Sequence, residues 1–297
     1  MKTPRSTWLA AVFAAIASLA AGVTSTCRRP EPVLTQLAEA RARAGDLLIQ
    51  FNKAIAAADG AVLADTDAAS ASAASEDRQA RSTLERDSDR LAPLLQNLGY
   101  SPEIGLLDEF TRRYKDYKAL DDSLLGLAVE NTNIKAQRLA FGPQRETAET
   151  FRTAAEAAVR DVPSAQAPKA DAAAARAEAA LLDAQLLEAR HNAEADEATM
   201  TTLEAQMTQD EAIARARLND LTALRPGGAG RQSLTAAAAA LDRFAASQTE
   251  IVQLSRRNTN VRSTALALGR KHSVGVGCED ILNQLADALS HHEFGTR

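Results

Sequence analysis

One string occurs twice in this chain. "VENTNIKAQRLAFGPQ" at 129–144 and "RRNTNVRSTALALGRK" at 256–271 share Asn-Thr-Asn, a β-branched residue, a basic residue, an apolar stretch and a glycine. Asn258 follows Asn131 by 127 positions. The same offset pairs Phe244 with Tyr117, Ile251 with Leu124, Leu254 with Leu127, Val261 with Ile134, Leu268 with Phe141 and Gly269 with Gly142. A match of this length and spacing means a duplicated unit, and so long a period belongs to tandem domains rather than to a solenoid of short repeats. A chain of 297 residues has room for two such domains.

Each unit reads as helical. Alanine dominates, aromatics are 4% and glycines number only 14; Ala, Leu, Glu, Gln and Arg are the residues that lose least on entering a helix. Alternating Val, Ile and Thr runs, the mark of a half-buried strand, are missing. The expected fold is all-α, two tandem antiparallel four-helix bundles: 33–161, a linker at 162–170 ("VPSAQAPKA"), 171–292, and a tail at 293–297. Pro30 and Pro32 open the mature chain. In "NLGYSP" (97–102), Gly99 suits a left-handed cap and Pro102 a helix start. "FGPQ" (141–144) predicts a second stop, "LRPGGAG" (224–230) a wide turn and "SVGVG" (273–277) a weaker break. A bend is expected near 64–69, capped by Thr66 or Asp67, and another at 205–210, capped by Thr208.

Read as uninterrupted helices, the two copies place Phe244, Ser247, Ile251, Leu254, Asn258, Val261, Ala265 and Leu268 on one stripe. Tyr117, Leu120, Leu124, Leu127, Asn131, Ile134, Arg138 and Phe141 lie on the other. Each stripe thus holds an asparagine. A buried amide costs stability unless paired, so it fixes register or lines a polar cavity. Arg138 stands where the second copy has Ala265, and an arginine in a seam needs an acidic partner or a bound anion. Asn131, Arg138 and Asn258 are therefore the candidate ligand-binding residues. If Asn258 only sets register, leucine in its place should be tolerated. Asn133 and Asn260 are expected to point away, and Arg256, Arg257, Arg262, Arg270 and Lys271 to form a solvated face.

Lys2 and Arg5 precede an apolar run at 8–23 that ends in small residues, the plan of a secretory signal. Segment 1–27 is expected to be a cleaved signal peptide or a retained N-terminal membrane anchor, with lipidation at Cys27 a third fate. The rest of the chain would then work in the periplasm or on the extracytoplasmic side of the membrane. With only Cys27 and Cys278 present, removal of the first leaves Cys278 alone, and its place on an apolar stripe suggests a small buried hydrophobe. The net charge of −5 argues against a nucleic-acid partner.

"EIVQLSRRNTNVRSTALALGRKHSVGVGCEDILNQLADAL" (250–289) resembles the last two helices of the four-helix-bundle sensor domain of methyl-accepting chemotaxis receptors. "LLEARHNAEADEATMTTLEAQM" (186–207) resembles its earlier helices, and 95–144 fits a divergent first copy. The resemblance implies an extracytoplasmic module, often a homodimer, that senses a small molecule or a binding protein. It supplies no shared set of ligand residues. These 297 residues show no second membrane helix and no long cytoplasmic hairpin, so a partner is expected to carry the signal.

Enzyme chemistry has no residue set to support it: Cys-x-x-Cys-His, His-Glu-x-x-His, a Gly-rich phosphate loop and Gly-x-Ser-x-Gly do not occur. Glu188-Ala-Arg-His191 matches half of a di-iron motif once, without the second motif such a site requires. His291-His292-Glu293 reads as a solvated tail. No metal and no cofactor are expected. The function expected is a non-catalytic sensory or ligand-binding module in signal transduction, binding an unidentified small molecule or envelope protein. The alternative is a structural or interaction protein of the cell envelope with no small-molecule ligand.

Overall fold

The computed structural model describes residues 33–292, and the regular structure among them is entirely helical. The N-terminal segment 1–27 with Cys27, and the tail 293–297, lie outside the described residues. The helices are α1 (Val33–Leu63), α2 (Asp67–Leu98), α3 (Ser101–Glu130), α4 (Thr132–Leu139), α5 (Arg145–Arg160), α6 (Ala167–Ala193), α7 (Glu197–Ala223), α8 (Gly228–Arg257), α9 (Thr259–Leu266) and α10 (His272–His291). Two π-helical turns, Ala140–Gln144 and Ala267–Lys271, join α4 to α5 and α9 to α10. Among the described residues no helix is long and apolar enough to cross a membrane.

Several boundaries follow from local chemistry as expected. Thr66 is extended and its hydroxyl accepts from the Ala69 amide at 3.1 Å, capping α2. Gly99 takes the left-handed conformation, φ 73°, that closes α2, and Pro102 sits in the first turn of α3. Others differ. "FGPQ" does not end a helix: the chain widens there into a π turn that accommodates Pro143, which lacks an amide hydrogen, and runs on to Arg160. The second copy deviates at the equivalent Ala267–Lys271 rather than at 273–277, with Gly269 carrying the non-helical dihedrals. Thr208 lies inside α7 and donates back to Glu204 O, while the turn falls earlier, where Asp196 caps the helix through the Thr199 amide.

The main correction concerns continuity and partnership. Neither repeated string lies within a continuous helix. Asn131 ends α3 and begins α4 in the left-handed region (φ 50°, ψ 38°), and Asn258 does the same between α8 and α9 (φ 52°, ψ 37°). Asparagine is among the few residues besides glycine that visit this region readily. At each break the chain crosses from one group of helices to the other. α10 packs on α1 and α3, whose neighbour is α2, whereas α5 packs on α8 and α6, which adjoin α7. The packing therefore does not divide at 162–170. The last helix of each copy lies among the first three of the other copy, and α6 already starts at Ala167.

The cores differ in make-up. Leucines and aromatic rings fill the group of α1, α2, α3 and α10: Phe51 meets Tyr117 at 4.9 Å between ring centroids, and Cys278, Leu282 and Leu285 from α10 join them. Each such side chain contributes roughly 1.5–3 kcal/mol on burial. Cys278 is the buried small hydrophobe expected, and burial pushes its thiol up to about 12. The group of α5–α8 is built largely on alanine, with Phe151, Phe244 and five leucines (Leu181, Leu218, Leu221, Leu234 and Leu241) as its larger members. At its far end the Asp161 carboxylate accepts from the Gly230 amide at 2.6 Å and ties the end of α5 to the start of α8.

Candidate functional site

The two repeated strings bind each other. The amide of Thr132 donates to Thr259 Oγ1 at 3.1 Å and that of Thr259 to Thr132 Oγ1 at 3.2 Å. The amide of Asn133 donates to Asn260 Oδ1 and that of Asn260 to Asn133 Oδ1, both at 3.1 Å. Each of these four residues meets its own counterpart, as two equal bodies do about a two-fold axis. The physical cause is the shortage of partners at a helix start, where the first amide groups have no acceptor within the helix. α4 and α9 have no side-chain cap of their own, and each is capped by the other copy.

Asn131 and Asn258 come together at this junction, and their amides are spent there. Asn131 Nδ2 donates to Asp67 Oδ1 and its Oδ1 accepts from Asn260 Nδ2, both at 3.1 Å. Asn258 Nδ2 donates to Glu194 O at 2.6 Å and its Oδ1 accepts from Asn133 Nδ2 at 2.8 Å. Asn133 and Asn260, expected to point away, are thus part of the same network. Arg138 is not in a seam: it is exposed and donates to Asp65 O. The basic residues are not all solvated either. Arg257 pairs with Glu130 across the junction, Arg256 pairs with Glu204, and Lys271 is buried.

Beside the junction, each group carries a polar layer at the π turn. In the leucine-rich group Lys271 lies 2.9 Å from Asp121, and Arg81 lies 2.7 Å from Asp77, 3.3 Å from Asp121 and 2.7 Å from Asp122. Burial, followed by repulsion from Asp121, pushes the Asp77 carboxyl up to about 7. The Lys271 ammonium also sits 5.3 Å from the Tyr117 ring centre. In the alanine-rich group the position equivalent to Lys271 is Gln144. Gln144 Nε2 donates to Glu188 Oε1 at 2.6 Å, and burial pushes the Glu188 carboxyl up to about 7. Glu188 is 1% exposed.

Each polar layer adjoins a groove. One, of about 880 Å³, runs between α5 and α6, with Phe141, Phe151, Leu181, Leu182, Leu186 and Ile251 supplying apolar surface and Glu188 and Asn192 polar atoms. Phe141, Leu182 and Leu186 are exposed. The other, about 390 Å³, runs between α1 and α10 beside Tyr117, Leu268 and Lys271. Asn131, Arg138 and Asn258 line neither of these two grooves. Glu188 escaped the sequence reading as a groove residue, although its place on the stripe Leu181, Ala184, Glu188, His191 put a carboxylate on a buried face.

The half di-iron motif is otherwise engaged. His191 Nδ1 lies 2.7 Å from Ser255 Oγ and Nε2 2.8 Å from Glu204, while Glu188 is held by Gln144. Among the described residues no group of three or more His, Cys, Asp or Glu side chains is placed to hold a metal ion. His292, expected in a solvated tail, contacts Glu103 at 2.7 Å and stacks on Tyr100 at 3.8 Å. No protein-family model matches the chain, and no curated protein matches it.

Proposed function

We propose that the chain is a non-catalytic ligand-binding module, similar to the sensor domains of methyl-accepting chemotaxis receptors, that works outside the cytoplasm and passes its signal to a partner. Its architecture is two four-helix bundles descended from one duplicated unit, with their fourth helices exchanged. One observation carries the reading: the groove between α5 and α6 is largely apolar but bounded by a buried carboxyl with one unpartnered oxygen. An apolar concavity with a few convergent polar groups is the usual form of a small-molecule site. The site moves from the asparagines to this groove, because the amides of Asn131 and Asn258 are already paired.

A second reading has its own support. Exposed Phe141, Leu182 and Leu186 along one face suit a protein partner as well as a small ligand. A thermal-shift screen of residues 31–297 against amino acids, organic acids, sugars and amines separates the two. A ligand that raises the melting temperature, with Ala189→Trp in the groove wall abolishing the rise, supports the module. A flat response across the panel transfers the assignment to an envelope interaction protein.

A further inference from the structure

We propose that the groove between α5 and α6 takes an amphipathic primary amine, its ammonium group on Glu188 and Asn192 and its apolar body along Phe141, Leu182 and Leu186. The proposal deepens the ligand-binding reading and rests on it. It starts from a one-sided shortage. The buried polar atoms without a partner at this place are Glu188 Oε2, Asn192 Oδ1 and, behind them, Gln144 Oε1. All three are oxygens, and those of Asn192 and Gln144 can only accept, as can that of an ionised Glu188. Glu188 and Asn192 lie four residues apart on α6, one turn from each other, so their side chains share a face.

The missing component is a cluster of donors on a single group, which an ammonium supplies with three N–H bonds and a positive charge. A hydroxyl brings one donor, and a carboxylate brings none and repels Glu188. Burial of the Glu188 carboxyl also disfavours its charge until a cation arrives. The charged groups at the rim balance: Arg145, Glu149 and Arg152 face the groove from α5 and Glu178 from α6. Arg152 is engaged by Glu149, Glu156 and Glu178. In the layer beside the groove between α1 and α10, oxygens of Asp77, Asp121 and Tyr117 also lack hydrogen-bond partners, but the cations are already present: buried Lys271 stands where Gln144 does, 2.9 Å from Asp121, and Arg81 pairs with Asp77.

Calorimetric titration of the full chain with n-octylamine, n-octanol and octanoate, chains of equal length with different heads, tests the assignment. Octylamine is expected to bind at least about tenfold more tightly than octanol at pH 8, the effect of hydrogen bonds to a charged group. Glu188→Gln should remove that preference and leave octanol binding unchanged. Between pH 8 and pH 6 the octylamine affinity should fall several-fold as Glu188 takes up a proton, with octanol unaffected; this holds for the native chain even if the variant does not fold. Equal or better binding of octanol or octanoate overturns the ammonium assignment and leaves the groove a ligand site. So does an amine preference that survives Glu188→Gln. If none of the three binds, or if Ala189→Trp changes nothing, the groove itself is lost as the site.

Discussion

At the same point of the two copies of the repeated string, Gln144 faces Glu188 while Lys271 pairs with Asp121, which Arg81 links to Asp77. The backbone is the same in kind on both sides, a left-handed asparagine, a short helix and a π turn. The polar layers have diverged. One sets the cations Lys271 and Arg81 against its buried carboxylates inside a leucine and aromatic core; the other leaves Glu188 Oε2, Asn192 Oδ1 and Gln144 Oε1 without a partner beside a groove of more than twice the volume. The two copies of the string thus share one backbone frame while their side chains differ: ion pairs fill one layer, and the other adjoins the larger of the two grooves.

The largest effect should separate the two layers by stability. Lys271→Met leaves buried Asp121 facing Asp77 with Arg81 alone, and removing one partner of a buried ion pair costs about 3–5 kcal/mol. Gln144→Met removes one hydrogen bond from Glu188, worth about 1–3 kcal/mol. Urea denaturation of both variants measures the gap, and equal losses would erase the contrast.

Next is the response to pH. The Glu188 carboxyl is raised from 4.5 to about 7, so the folded chain keeps a proton that the unfolded chain releases. Its stabilising effect is complete below about pH 4.5 and fades as pH rises through 7, amounting to about 3 kcal/mol. Asp77 has the same sign. Stability should therefore fall between pH 5 and pH 8, and Glu188→Gln should flatten roughly half of the slope. A slope unchanged in that variant would assign the whole effect to the other layer.

The smallest contrast lies at the junction between the layers. Asn258→Leu forces a branched side chain into a left-handed position, leaves Asn133 Nδ2 with Asn192 O alone and takes the Asn258 donor from Glu194 O, a loss of about 2–3 kcal/mol. That reverses the tolerance expected of a register residue. Arg138→Ala, at an exposed position with one carbonyl partner, should cost no more than about 0.5 kcal/mol. Thermal melts of the two decide which candidate of the repeated string is structural.

The all-helical class and the caps at Thr66 and Gly99 were legible because each rests on neighbours in sequence. The exchange of helices was not. An apolar stripe such as Ile281, Leu282 and Leu285 shows that a helix has a buried face, and nothing about which copy provides the opposite one. The string Asn-Thr-Asn announced a special purpose, yet its partner for hydrogen bonding is itself, 127 residues away. Glu188 was visible as half a metal motif, whereas its real surroundings depend on the π turn Ala140–Gln144, which brings Gln144 to it.

The crossed connection also bears on how the molecule comes apart. A protease that severs the peptide near Ser164 leaves two fragments, each owning three helices of one group and the last two helices of its own copy, which pack on the other group. Neither fragment can complete a core without its complement. The cut chain should still migrate as one particle and melt in one transition, so the repeats behave as a knitted pair whose lifetime is shared.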